Sequence, residues 1–132
     1  MKNKVERHLK SHKKHGKPVL FLLIDSENFK TSKDVEKMAK GIMKACKKMT
    51  AAPAILVGGS SATDQIEMNN VVKIIKKITR LDTILFPGNI TGVVPKADAI
   101  LFSSLMNSEN PYYITQAQAL GAPLVRKFNL EA

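Results

Sequence analysis

The sequence is short of several things, and each shortage excludes a class of protein. It holds a single cysteine, Cys46, so no internal disulfide can form, which fits a reducing compartment better than a secreted disulfide scaffold. Aromatic residues make up only 5%, with no tryptophan, and none lies in the basic N-terminal stretch. A single-strand nucleic-acid platform needs rings on which bases stack, so no nucleic-acid partner is expected. No apolar run approaches the roughly 20 residues of a membrane span; the longest, Pro18 to Ile24, has the length of a strand. The basic N-terminus leads into no apolar signal core with a small-residue cleavage site. The expected location is cytoplasmic. Neither the GxxxxGK[ST] of a P-loop nor the GxGxxG of a dinucleotide fold occurs.

What remains is a chain of 132 residues with 44% hydrophobic and 24% charged residues, enough to bury one core and too apolar for disorder. Acids are outnumbered 11 to 21 by Lys and Arg, giving a formal net charge of +10. Much of the excess is local: residues 1–17 carry seven Lys or Arg, all three His, and Glu6 as their one acid. This stretch reads as a separate basic N-terminal helix over 1–16 with few apolar anchors, Val5 and Leu9. A second basic set, Lys37, Lys40, Lys44, Lys47 and Lys48, lies at helical spacing and reads as a solvated helix face. Contact with an anionic membrane surface is compatible with either set. His8, His12 and His15 share one helical face, where metal binding competes with the plainer reading of a solvated basic helix. Met38, Met43, Met49, Met68 and Met106 read as packing residues.

Residues 18–132 alternate two periodicities. Pro18–Ile24, Pro53–Val57, Thr83–Phe86 and Ala97–Phe102 are continuous apolar runs, the pattern of strands buried on both faces. Between them lie helical patterns. One is capped by Thr31 or Ser32 and carries Val35, Met38, Ile42 and Cys46; another runs from about Asp64 to Thr79 with Ile66, Val71, Ile74, Ile75 and Ile78. No helix fits between Asn89 and Ala97, where Gly92 and Pro95 intervene. Tyr112–Leu120 reads as a helix with Pro111 in its first turn and Gly121 as its cap, and Pro123–Val125 as the start of a fifth strand. The fold class is α/β: about four βα units on a parallel sheet, in which the polar residues following the strands build the functional site.

Asp25 ends the first apolar run. A lone carboxylate there suits a hard cation such as Mg²⁺, and equally suits a loop cap. Gly58-Gly59-Ser60-Ser61 follows the second strand. Two glycines let backbone N–H groups approach a phosphate, and the same residues also make a tight turn. Asn107 and Ser108, after the fourth strand, are either ligand groups or loop hydrogen-bonding residues.

In order, the chain contains Leu23-Ile-Asp25, Ala54-Ile-Leu-Val-Gly-Gly-Ser60, Ile84-Leu-Phe-Pro-Gly-Asn89, Ala97-Asp-Ala-Ile-Leu-Phe-Ser-Ser-Leu-Met-Asn-Ser108, Asn110-Pro-Tyr-Tyr-Ile114 and Gln118-Ala-Leu-Gly-Ala-Pro123. From about Val19 to Glu131 it resembles the geranylgeranylglyceryl and heptaprenylglyceryl phosphate synthases. The resemblance implies a TIM barrel with one outer helix replaced by an extended segment. It also implies Mg²⁺-dependent transfer of a prenyl group from a polyprenyl diphosphate to the 3-hydroxyl of sn-glycerol 1-phosphate, as in ether-lipid synthesis. The family's magnesium positions fall on Asp25 and Ser60, and Gly58, Gly59, Ser61, Asn107 and Ser108 are the expected diphosphate- or substrate-binding residues. The first motif reads Asp25-Ser26-Glu27-Asn28 where the family usually has Asp-Pro-Asp-Lys. A complete TIM barrel needs at least ~200 residues, so the resemblance covers an N-terminal half, and the family's glycerol-phosphate site lies beyond it. The expectation is a truncated prenyltransferase, or alternatively a non-catalytic diphosphate-binding half-barrel or assembly module. Inward-facing Leu23, Leu56, Leu85 and Leu101 would then lack their partner half, which predicts a homo-oligomer.

Overall fold

The computed structural model describes residues 3–59 and 64–132. Four parallel strands, β1 (Val19–Asp25), β2 (Ala52–Gly59), β3 (Thr83–Pro87) and β4 (Ala99–Ile100), lie in sequence order. Helix α1 (Lys4–Lys14) precedes them, α2 (Ser32–Cys46) and α3 (Gln65–Thr79) connect β1 to β2 and β2 to β3, and α4 (Ala117–Phe128) follows β4. Between β3 and β4 the chain makes only a 3₁₀ turn, Ile90–Gly92, so the outer helix is missing where Gly92 and Pro95 predict its absence. This is a partial TIM barrel.

Local chemistry fixes the starts of α2 and α3. Thr31 and Asp34 form a reciprocal capping box on α2, and the Asp64 side chain accepts the Ile66 N–H at the start of α3, satisfying donors that have no partner within the helix. Arg80 and Asn129 end α3 and α4 in left-handed conformations at φ 55, a role more often given to glycine.

The strand register sorts the apolar residues into two faces. Leu23 pairs with Leu56, Leu56 with Ile84, and Ile84 with Ala99; on the other face Ile24 pairs with Val57, Val57 with Leu85, and Leu85 with Ile100. The second set packs beneath α2, α3 and α4 with Val35, Met68, Val72 and Ile75. Each such side chain contributes ~1.5–3 kcal/mol on full burial. Leu85 therefore belongs to the helix-covered core, fully buried, and not to the barrel interior with Leu23, Leu56 and Leu101: pleating sends every second residue outward, and the sequence run alone does not fix its phase. Along α3, Ile66 is exposed because it sits in the first turn, ahead of the sheet, and Met68 fills the core in its place.

The inner face has a floor. Val5 of α1 is buried against Ala54, Ile84 and Ala99, with Leu9 and Leu56 packed alongside. Two alanines, Ala54 and Ala99, flank Ile84 and leave room for a helix, so the basic N-terminal segment is part of the barrel's packing.

The chain after β4 departs from its sequence reading. The fourth strand is shorter than 97–102, though Asp98 N–H to Thr83 O and Leu101 N–H to Leu85 O, both 2.8 Å, extend its ladder. A π-helical turn, Tyr112–Gln116, leads into α4, which runs through Gly121 and Pro123 to Phe128. Gly121 is thus no cap and 123–125 no strand. Leu124, Val125 and Phe128 pack on the core, and that burial outweighs the hydrogen bond lost at Pro123. A parallel bridge between Ala99 and Glu131 continues the sheet instead.

Candidate functional site at the strand C-termini

Asp25 ends β1 and is paired in register with Gly58, which pairs in turn with Phe86. All three lie on the inner face at its C-terminal mouth. Asp25 is half-buried; its Oδ1 accepts the Glu27 N–H at 3.0 Å, while its Oδ2 has no protein partner among the described residues. The carboxylate therefore caps the following 3₁₀ turn and still presents one oxygen to a ligand. Gly58 is required by close approach: a Cβ here would stand 2.6 Å from the Phe86 carbonyl oxygen. Ser26, next to Asp25, is buried, and its hydroxyl has no hydrogen-bond partner among the described residues.

A hollow of about 260 Å³ opens at this point, lined by Leu23, Asp25, Gly58, Gly59, Phe86, Pro87 and Gly88. Beside it runs a groove of about 380 Å³, apolar in the main, built by Phe86, Ile90, Val93, Leu101, Leu105 and Tyr113 among others. The two share Phe86, Pro87 and Gly88. The groove occupies the flank that an outer helix would otherwise cover. Gln118 closes one side of it, donating to Ser103 O and to Ser104 Oγ (3.0 Å). Tyr112 donates nothing to the groove; its hydroxyl accepts the Ile90 N–H at 3.3 Å and ties α4's approach to the 3₁₀ turn.

The expected site residues divide three ways. Asp25, Gly58 and Gly59 come together in the hollow. Asn107 and Ser108 are not among its lining residues; Ser108 Oγ accepts the Asn110 N–H at 3.0 Å, holding its own loop. Ser60 and Ser61 lie outside the described residues. The α3 N-terminus, a natural anion site, already holds the Asp64 carboxylate and has Glu67 in its first turn. Among the described residues Asp25 is the only charged one lining the hollow, so a phosphate there would face a carboxylate unless a cation bridged them. Among the described residues no three His, Cys, Asp or Glu gather into a metal-binding cluster. One carboxylate nonetheless fits Mg²⁺, which takes few protein ligands and completes its octahedron with phosphate oxygens and water. Sequence reasoning did not find the groove, whose walls come from segments far apart in the chain; the missing helix was its one available signal.

A parallel (β/α) barrel segment whose strand C-termini carry one carboxylate, that of Asp25, in a hollow beside an apolar groove is the class that fold and site define. The chain belongs to the PcrB family, whose sequence model matches residues 13–132. It is 63% identical to the geranylgeranylglyceryl phosphate synthase of Nitrosopumilus maritimus over 98% of this chain and 49% of that protein. The corresponding synthase of Pyrococcus furiosus is 46% identical over 97% of this chain and 48% of its own length. Among solved structures, the (S)-3-O-geranylgeranylglyceryl phosphate synthase of Thermoplasma acidophilum, in complex with its substrate sn-glycerol-1-phosphate, superposes with a TM-score of 0.80 at 31% identity, covering 99% of this chain and 50% of that one. The chain spans about half the length of the curated relatives it matches. Among the described residues no helix is long and apolar enough to cross a membrane.

Proposed function

We propose that this chain supplies the prenyl-diphosphate half of a prenyltransferase that alkylates sn-glycerol 1-phosphate. The observation that carries the reading is the shared wall of Phe86, Pro87 and Gly88 between the Asp25 hollow and the apolar groove. A molecule with a charged head and a branched hydrocarbon tail fits such a pair of spaces. The head lies at Asp25 and Gly58, and the tail along Leu101, Leu105 and Tyr113.

Asp25, with Ser60 as the family's second position, would hold Mg²⁺, which neutralises the diphosphate's charge and so makes it a competent leaving group. Gly58 and Gly59 bring the chain's backbone close to the phosphates, and the groove keeps water from the allylic carbon. In the reaction the bond between C1 of the prenyl chain and the diphosphate oxygen breaks. A bond from C1 to the acceptor's 3-hydroxyl oxygen forms, and diphosphate and a proton leave. The described residues show no cationic cradle at this mouth for the acceptor's phosphate, so the 132-residue chain by itself is expected to bind donor and turn over little or none. Location in the cytoplasm and contact with an anionic membrane surface belong to the same proposal.

Titration of geranylgeranyl diphosphate with Mg²⁺ into wild type and Asp25→Ala tests it. Binding weakened at least tenfold by the substitution, and in wild type by removing Mg²⁺, is the expected result. Equal binding by both proteins removes Asp25 from the site.

A further inference from the structure

We propose that His8 and His12 form a two-imidazole site for a divalent transition-metal ion, with Asp82 holding the ring of His8 in the binding tautomer. The site sits at the N-terminal end of the barrel, at the opposite end of the strands from Asp25, and does not depend on the proposed prenyl chemistry. His8 and His12 also precede residue 13, where the family match begins.

Three contacts define it. The Asp82 carboxylate contacts His8 Nδ1; a carboxylate accepts, so Nδ1 carries the hydrogen and Nε2 presents its lone pair. His12 Nε2 stands 3.0 Å from His8 Nε2, with the rings 4.7 Å apart at 62°. Asp82 is itself anchored, since its backbone carbonyl accepts the Ile55 N–H at 2.9 Å at the start of the sheet. A carboxylate behind a histidine whose other nitrogen faces outward is the arrangement that orients metal-binding imidazoles. Residues four apart on a helix share a face, as in the paired histidines of helical zinc sites.

The spacing fits one ion. Two nitrogens each about 2.0–2.1 Å from a metal lie roughly 2.9 Å apart at a right angle and roughly 3.3 Å apart at the tetrahedral angle. The observed separation falls between these, so little ring movement is needed for Cu²⁺, Ni²⁺ or Zn²⁺, with Cu²⁺ favoured by its position in the affinity series. The His8 side chain is 52% exposed and that of Asp82 only 12%: the ion reaches the imidazoles from solvent, where water completes its shell, while the orienting carboxylate stays fixed. His15 is excluded because its Nδ1 is turned back to the Ser11 carbonyl at 2.7 Å.

The experiment is titration of CuCl₂ and of ZnCl₂ into the untagged, metal-free chain, with electron paramagnetic resonance on the Cu²⁺ form and circular dichroism to establish that each variant is folded. One equivalent should bind, with two equatorial nitrogens in the Cu²⁺ spectrum. His12→Ala should weaken binding at least tenfold, and Asp82→Asn by about 10- to 100-fold, while His15→Ala leaves it unchanged. Equal binding by wild type and His12→Ala, or an equal loss in His15→Ala, would overturn the proposal and reduce the His8–His12 contact to an N–H···N hydrogen bond.

Discussion

The carboxylate of Glu131 accepts the backbone N–H of Val5 at 2.9 Å through one oxygen and that of Glu6 at 2.6 Å through the other. The N-cap position of α1, Asn3, is left-handed and makes no side-chain cap, so a residue 126 positions away caps the helix in its place. It also sets a negative charge at the positive end of the helix dipole. Glu131→Ala should cost about 1–2 kcal/mol in urea unfolding and release the Val5 and Glu6 amides to hydrogen exchange. Glu131→Gln should cost less, having kept one acceptor. An unchanged unfolding midpoint in the alanine variant would mean that α1 is held by Val5 packing alone.

Gly58→Ala places a methyl group 2.6 Å from the Phe86 carbonyl oxygen, a backbone atom that moves only if β3 moves. The substitution should destabilise the fold by about 1–3 kcal/mol and, on the proposed function, weaken prenyl-diphosphate binding at least tenfold. Calorimetry and ligand titration on one preparation measure both effects. Normal affinity in a destabilised protein would confine Gly58 to packing.

Ser26 is buried with a hydroxyl that has no partner among the described residues, and such a group costs about 1–3 kcal/mol when left unsatisfied. Ser26→Ala should therefore raise stability by about 1 kcal/mol, seen as a higher melting temperature. A lower melting temperature would show that the hydroxyl has a partner, such as a bound water.

The open inner face makes a prediction about association. Phe21 and Leu23 on the edge strand β1 are 46% and 62% exposed, with Leu101 and Phe102 also open at the other side. Edge strands with exposed apolar side chains pair with other chains. The 132-residue protein should form dimers or larger species in light scattering, and Leu23→Lys should shift it toward monomer. A monodisperse wild-type monomer would mean that these side chains find cover within the chain.

Much of this was legible from residue order. Strands β1 to β3 and helices α2 and α3 announce themselves by period, and Asp25 and the Gly58-Gly59 pair by following apolar runs. Gly92 and Pro95 gave the absent helix. The errors have two sources: local signals that lose to burial, and pairings that only the assembled sheet decides. Gly121 and Pro123 look like a helix stop, yet Leu124, Val125 and Phe128 gain a core by continuing. The inward or outward phase of Leu85 depends on which of its neighbours pair with β2, a long-range fact. The groove and the His8–Asp82 contact join residues dozens of positions apart, and nothing in either segment alone points to the other.

The strand order has a consequence for how the molecule is made. Every strand lies beside its predecessor in the chain, so each can dock once the segment that connects it to its neighbour has been made. Helix α1 is the exception. Its seat is assembled from Ala54, Ile84 and Ala99, and its first turn is tied down by Glu131. Helix α1 thus waits for a residue 126 positions beyond Val5. Until then its positive charges and Val5 stay in solvent, which makes α1 the natural reporter of whether β2, β3, β4 and Glu131 have come together.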